Sequence, residues 1–159
     1  MSERLDYAKL SHELTKAYYA FSMATKASGL GQTLIDLINL RASQINGCAF
    51  CVDMHSKEAK IHGERELRLY HVAVWRESPL FDARERAALE WTEALTQLSP
   101  HGVPDAVYDA VRAQFDDKDM AALSFAVMAI NGWNRLSVGF RAVPGSRDAV
   151  YGLTKAGLS

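Results

Sequence analysis

Cysteine is scarce in this chain, with two residues in 159, too few for a small secreted scaffold stapled by disulfides. Net charge is scarcer still: the formal value is -1 at neutral pH and the isoelectric point lies near 6.5. The chain therefore projects no long-range field toward a polyanion, and no basic run interleaved with aromatics occurs, which argues against nucleic acid as a partner. No apolar stretch approaches membrane-spanning length. The opening residues Met1-Ser2-Glu3-Arg4-Leu5-Asp6-Tyr7 also lack the cationic and then apolar profile of a secretion signal. A cytoplasmic protein with no membrane partner is the expectation. Alternating Val/Ile/Thr segments closed by tight glycine turns are missing too, which removes β architectures.

What is present is apolar residue content of 48%, enough to bury a proper core in one domain, arranged at helical spacing through most of the chain. The fold class expected is all-α, a single-domain helical bundle. The pattern predicts a first helix over 7–27 ending near Ser28-Gly29, where glycine takes the left-handed conformation that closes a helix, and a second over 32–45. Asn46-Gly47 interrupts the pattern, and Asn46 is expected to cap a third helix that starts beside Cys48 and stops at Gly63. Further helices are expected over 64–75, from the capping box Asp82-Ala83-Arg84-Glu85 to about Leu98, over 105–115 and over 119–141, with Pro144-Gly145 as a stop. Residues 1–145 are read as the domain. Residues 146–159 are read as a weakly patterned tail that frays or packs on a neighbouring subunit.

The two cysteines stand together in Cys48-Ala49-Phe50-Cys51-Val52-Asp53-Met54-His55. At about 100° per residue, a helix places both sulfurs and the imidazole within roughly 60° of one another on one face. A thiol reacts as thiolate, and each means of lowering its pKa is available: the helix N-terminus beside Cys48, and His55 one turn past Cys51. After attack on a peroxide O–O bond, a second thiol three residues away condenses with the sulfenic acid before irreversible oxidation. A permanent bridge across so short a loop would stabilise the fold little.

Three other readings compete. Cys48, Cys51 and His55 supply three ligands for a structural zinc, but a fourth is lacking: His62 lies two turns beyond His55, and His12, His71 and His101 have no ligand spacing. Two buried cysteines filling core space is the bland reading, and a dithiol that oxidises slowly to switch assembly is the other. A c-type haem attachment fails because Val52 follows Cys51, and a thioredoxin-type motif needs a βαβ context. No metal and no cofactor are expected.

The stretch Arg41-Ala42-Ser43-Gln44-Ile45-Asn46-Gly47-Cys48-Ala49-Phe50-Cys51-Val52-Asp53-Met54-His55 resembles the core motif of the alkylhydroperoxidase D (AhpD) family, within the carboxymuconolactone decarboxylase superfamily. Asn131-Gly132-Trp133-Asn134-Arg135-Leu136 resembles that family's late-helix signature, so the likeness covers about 15–143. The resemblance implies an AhpD-like thiol peroxidase that acts on hydrogen peroxide or small organic hydroperoxides. In it Cys51 attacks, Cys48 resolves and His55 relays protons. It also implies a homo-oligomer built from dimers and a thioredoxin-like or lipoyl-bearing dithiol reductant. Two positions depart from the family: Asp36 stands where a glutamate is usual, one methylene shorter, and Phe50 stands where some members carry a second histidine. The decarboxylase branch lacks the cysteine pair. Asn131, Asn134 and Arg135 are expected to hold helix ends or a subunit contact, and His62 and His71 to be surface or helix-end residues.

Overall fold

The computed structural model describes residues 2–158, and among them there is no β-strand, only a single bridge between Ser99 and Gly102. The helices are α1 (Tyr7–Leu10), α2 (His12–Lys26), α3 (Gln32–Ile45), α4 (Ala49–Ile61), α5 (Glu66–His71), α6 (Ala83–Thr96), α7 (Asp105–Arg112), α8 (Asp117–Phe140) and α9 (Asp148–Tyr151), with 3₁₀ turns at Val72–Val74 and Leu153–Ala156. The expected all-α class is what the chain adopts.

Helix α3 is the centre. Its sequence is apolar on nearly every side, which marks a helix surrounded by others rather than one lying on a surface, and Leu34 to Leu40 are all buried. One side, with Leu34, Ile35, Ile38 and Ala42, packs with Trp91, Phe115, Leu123, Val127 and Ile130. The opposite side, with Leu37 and Leu40, packs with Ala59, Leu69, Val72, Trp75 and Leu89. The helix therefore separates two cores, and α4, α6 and α8 are laid against it.

Local chemistry explains where the boundaries fall. The first expected helix is two: Asp6 caps α1 by accepting from the Lys9 N–H at 3.1 Å, and Ser11, at φ -124° and ψ 55°, breaks the run before α2. The capping box of α6 forms as read, Asp82 Oδ1 accepting from the Glu85 N–H at 2.8 Å while Glu85 Oε2 accepts from the Asp82 N–H at 2.9 Å. Helix α8 stops at Phe140, before the Pro144-Gly145 signal, because Arg141 takes a left-handed conformation with φ 58°.

The segment after 145 packs on α4 of its own chain. Lys57 of α4 binds Asp148 at 2.7 Å, and Leu153 and Ala156 are buried in the packing of the last 3₁₀ turn on α4. The partners of buried Lys57 are thus Asp148 and, one turn back, Asp53 at 2.9 Å.

Gly132 in the late-helix motif has a packing reason. A Cβ there would sit 2.0 Å from the Tyr18 hydroxyl, which donates to the Ala129 carbonyl at 2.9 Å while its ring packs on Trp133 with centroids 4.8 Å apart. Alanine gains at most about 1 kcal/mol in helix propensity, whereas forcing α2 off α8 costs about 1–3 kcal/mol. Gly132→Ala is therefore expected to lower stability, read as a reduced urea midpoint with an unchanged slope. A raised midpoint would contradict the close approach.

Candidate active site: a buried dithiol at a helix start

Helices α3 and α4 form an antiparallel hairpin whose connection carries the first cysteine. Gly47 supplies the left-handed step, φ 63°, and this throws Cys48 into the N-cap position of α4. The cap is therefore Cys48 and not Asn46: Cys48 Sγ accepts from the Cys51 N–H at 3.3 Å. Asn46 closes α3 instead, and its Nδ2 donates to the side-chain oxygens of Asn131 at 3.0 Å and Asn134 at 2.9 Å. Asn134 in turn donates to Ser43 Oγ at 3.0 Å. The motif on α8 thus grips the turn that presents the thiols, which is the helix-end role expected of it.

Both cysteines are free thiols and only 1% exposed. The Cys51 thiol donating to the Cys48 sulfur lowers Cys48 to about 7, against the opposing effect of burial, and the Cys51 N–H, Ser137 and Asn134 add to the lowering. The same hydrogen bond, then burial, pushes the Cys51 thiol up. The more acidic thiol of the pair is therefore the one at the helix N-terminus, Cys48. Burial pushes the nearby Tyr7 hydroxyl up.

His55 lies one turn past Cys51 on the same face of α4 and is 5% exposed. Its Nδ1 is 2.7 Å from Glu58 Oε2, and Lys26 of α2 reaches the other Glu58 oxygen at 3.4 Å. Burial alone would raise the Glu58 carboxyl, but the hydrogen bond and charge of His55, with Lys26, outweigh it and hold it at about 2 against an ordinary 4.5. A carboxyl depressed in the folded state stabilises fully above its unfolded pKa and loses that contribution as pH falls through the folded one. Between pH 4.5 and about 2 this amounts to on the order of 3 kcal/mol. Glu58→Gln is expected to flatten the acid limb of a stability-against-pH curve in that window; an unchanged limb would show that the pair contributes nothing there.

Asp36 is buried, 3% exposed, rather than solvated. Its oxygens are taken by Gln32 Nε2 at 2.9 Å and His62 Nδ1 at 2.7 Å. Burial pushes its carboxyl up, and those two partners only partly offset the effect. In the antiparallel hairpin the start of α3 faces the end of α4, so Asp36 meets His62, about 16 Å along the axis from Cys51. His62, read from the sequence as a surface or helix-end residue, is both the C-cap of α4 and the partner of this carboxylate, beside an open depression of about 420 Å³ that Arg65, Arg68 and Glu85 also line. The structure therefore places Cys48, Cys51 and His55 along the first two turns of α4 and bonds Asp36 to Gln32 and His62 rather than to a thiol.

Glu58 and Ser137 escaped the sequence reading. Glu58 follows His55 by three residues, a spacing at which helical side chains meet, so it was discoverable; Ser137 reaches the sulfurs only through the packing of α8 on α4. Among the described residues no group of three or more His, Cys, Asp or Glu side chains gathers as a metal ion would need. No helix among them is long and apolar enough to cross a membrane.

Residues 12–94 match the family model of the carboxymuconolactone decarboxylase family, just over half the chain and including the whole dithiol segment. The chain belongs to that family. Within this family it is AhpD-like, and it is 38% identical over 138 residues to the uncharacterized protein YdfG of Bacillus subtilis, covering 87% of this chain and 94% of that one. ATU0492 of Agrobacterium tumefaciens, a protein of unknown function for which an AhpD-type antioxidant defence role has been suggested, superposes with a TM-score of 0.87. It is 45% identical, and the match covers 90% of this chain and 98% of that one. The debrominase Bmp8 shares the fold at 16% identity and a TM-score of 0.79, covering 93% of this chain and 79% of that one. That likeness shows the fold alone, and the side chains around the thiols must decide which reaction occurs here.

Proposed function

We propose that the chain is a thiol-dependent peroxidase that reduces hydrogen peroxide or a small organic hydroperoxide through Cys48 and Cys51. The observation that carries this reading is a free CxxC pair at a helix N-terminus, with a histidine–glutamate couple one turn beyond the second thiol. The Cys51 thiolate attacks the distal peroxide oxygen and the O–O bond breaks. The leaving hydroxide or alkoxide takes the proton that His55 accepted from Cys51, giving water or alcohol and a Cys51 sulfenic acid. Cys48 displaces water from that sulfenic acid to form a disulfide. A dithiol donor, thioredoxin-like or lipoyl-bearing, then supplies two electrons and two protons to restore both thiols. The role suggested for ATU0492 supports the same class of reaction. With each cysteine 1% exposed, burial favours a small peroxide over a large one.

A second arrangement has Cys48 attack, and it is favoured by the hydrogen bonds that make Cys48 the more acidic thiol at rest. Cys51 retains the first role here because the base lies beside it: His55 is one turn from Cys51 and two from Cys48. Asp36 has no direct bond to a thiol, since Gln32 and His62 occupy both of its oxygens. A homo-oligomer is supported by apolar residues left in solvent along α1 and α2, Leu10, Leu14, Tyr19 and Met23, and by Phe125 and Met128 on α8.

The test is peroxide consumption by the reduced protein with excess dithiothreitol. Many turnovers, far faster than an ordinary exposed thiol, support the reading. One oxidation per chain, with a change of oligomer size and no turnover, would make the dithiol a redox switch instead.

A further inference from the structure

The proton that Cys51 must lose before it can attack sits in an unfavourable place, since Cys48 has captured the stabilising hydrogen bonds of the helix start. A base strong enough to take that proton needs help, and the side chain placed to give it is Glu58. We infer that Glu58 is the positioning residue of His55, fixing its tautomer and strengthening it as the base for Cys51. This inference rests on the dithiol reading above and deepens it.

The geometry is specific. Glu58 Oε2 lies 2.7 Å from His55 Nδ1, so with Glu58 ionised that nitrogen carries the hydrogen and donates it. Nε2 is left as the acceptor for the thiol proton. Once protonated, the imidazolium is stabilised by a carboxylate in a setting where His55 is 5% exposed and charges are weakly screened. His55 itself and then Lys26, from α2, hold Glu58 ionised, and a further carboxylate, Asp36 on α3, is engaged by His62 and Gln32. Among the described residues, Glu58 is the one charged side chain bonded to the His55 ring. The family glutamate position is filled here by Asp36, whose bonds go to His62, so the carboxylate serving His55 comes from α4 itself.

The proton step balances simply: H⁺ passes from Cys51 Sγ to His55 Nε2, leaving a thiolate and an imidazolium paired with Glu58. Removing the Glu58 charge weakens the base, so the thiolate forms at higher pH. The test uses the full chain in a Cys48→Ser background, which leaves one thiol, and follows the pH profile of Cys51 alkylation by iodoacetamide. Glu58→Gln is expected to move the reactive limb up by about one pH unit and slow alkylation at neutral pH roughly tenfold, less than the loss of the base itself. In His55→Ala the same Glu58→Gln substitution should move the limb no further, because a residue acting through His55 has nothing left to act on.

If Glu58→Gln leaves the limb in place, or shifts it equally with and without His55, the inference is overturned. Should Glu58→Gln fail to fold, Glu58→Asp, one methylene short of the ring, carries the same comparison with a smaller shift expected. Alkylation requires no peroxide. Failure of turnover with an intact, His55-dependent shift would therefore count against the peroxidase reading alone.

Discussion

Cys51→Ser is expected to abolish peroxide reduction, with turnover in excess dithiol falling to the background of the reductant itself. A serine hydroxyl is too weakly acidic to become an alkoxide at neutral pH, and no neighbouring group in the site can replace a sulfur that must attack, be oxidised and condense. The fold should survive the change. Cys51 accepts no hydrogen bond that a hydroxyl cannot make, and the cap of α4 comes from the Cys48 sulfur and the Cys51 N–H, which serine retains. Equal thermal midpoints with no activity is the expected pair of observations. Retained turnover would remove Cys51 from the attacking role.

The second large effect belongs to His55. His55→Ala removes the acceptor for the Cys51 proton and its donor to the leaving oxygen, and a positioned acid–base group contributes about a hundredfold or more. The initial rate with hydrogen peroxide should fall by at least that factor at neutral pH and recover in part as pH rises and the thiol ionises unaided. Stability is expected to change as well, because Glu58 loses the partner that holds it at about 2. That change is separable by its pH dependence, since the stability lost is full at neutral pH and shrinks as pH falls from 4.5 to about 2. A rate within a few-fold of the parent would reduce His55 to a helix residue that pairs with Glu58.

Much of this was legible in the chain because it depends on neighbours in sequence. The all-α class follows from helical periodicity. The α3 boundaries follow from a glycine before and an Asn-Gly after, and the shared face of Cys48, Cys51 and His55 from spacing alone. What could not be read depends on contacts between elements. Asn46 looked like the cap of α4 because capping propensity is local, but the left-handed step at Gly47 advanced the cap by two residues, and Asn131 and Asn134, from α8, took the amide. Asp36 fitted the family position for a relay acid. Its two partners, one of them at the far end of α4, emerge only once α3 and α4 fold back on each other. The tail beyond residue 145 carries too little periodicity to predict a docking site, yet Lys57 on α4, buried and needing counter-charge, secures it through Asp148.

The central claim is that Cys51 is struck first and Cys48 resolves, and mass spectrometry of the Cys48→Ser protein tests it most directly. In that variant the hydrogen bond that pushes the Cys51 thiol up is weakened, since a serine oxygen replaces a thiolate as its acceptor. One equivalent of hydrogen peroxide in the presence of dimedone should leave a single adduct on Cys51, formed at a rate close to that of the parent's first oxidation, with over-oxidation when dimedone is omitted. No fast reaction in Cys48→Ser, together with a dimedone adduct on Cys48 in the Cys51→Ser protein, would contradict the account and assign the attack to the thiol at the helix cap.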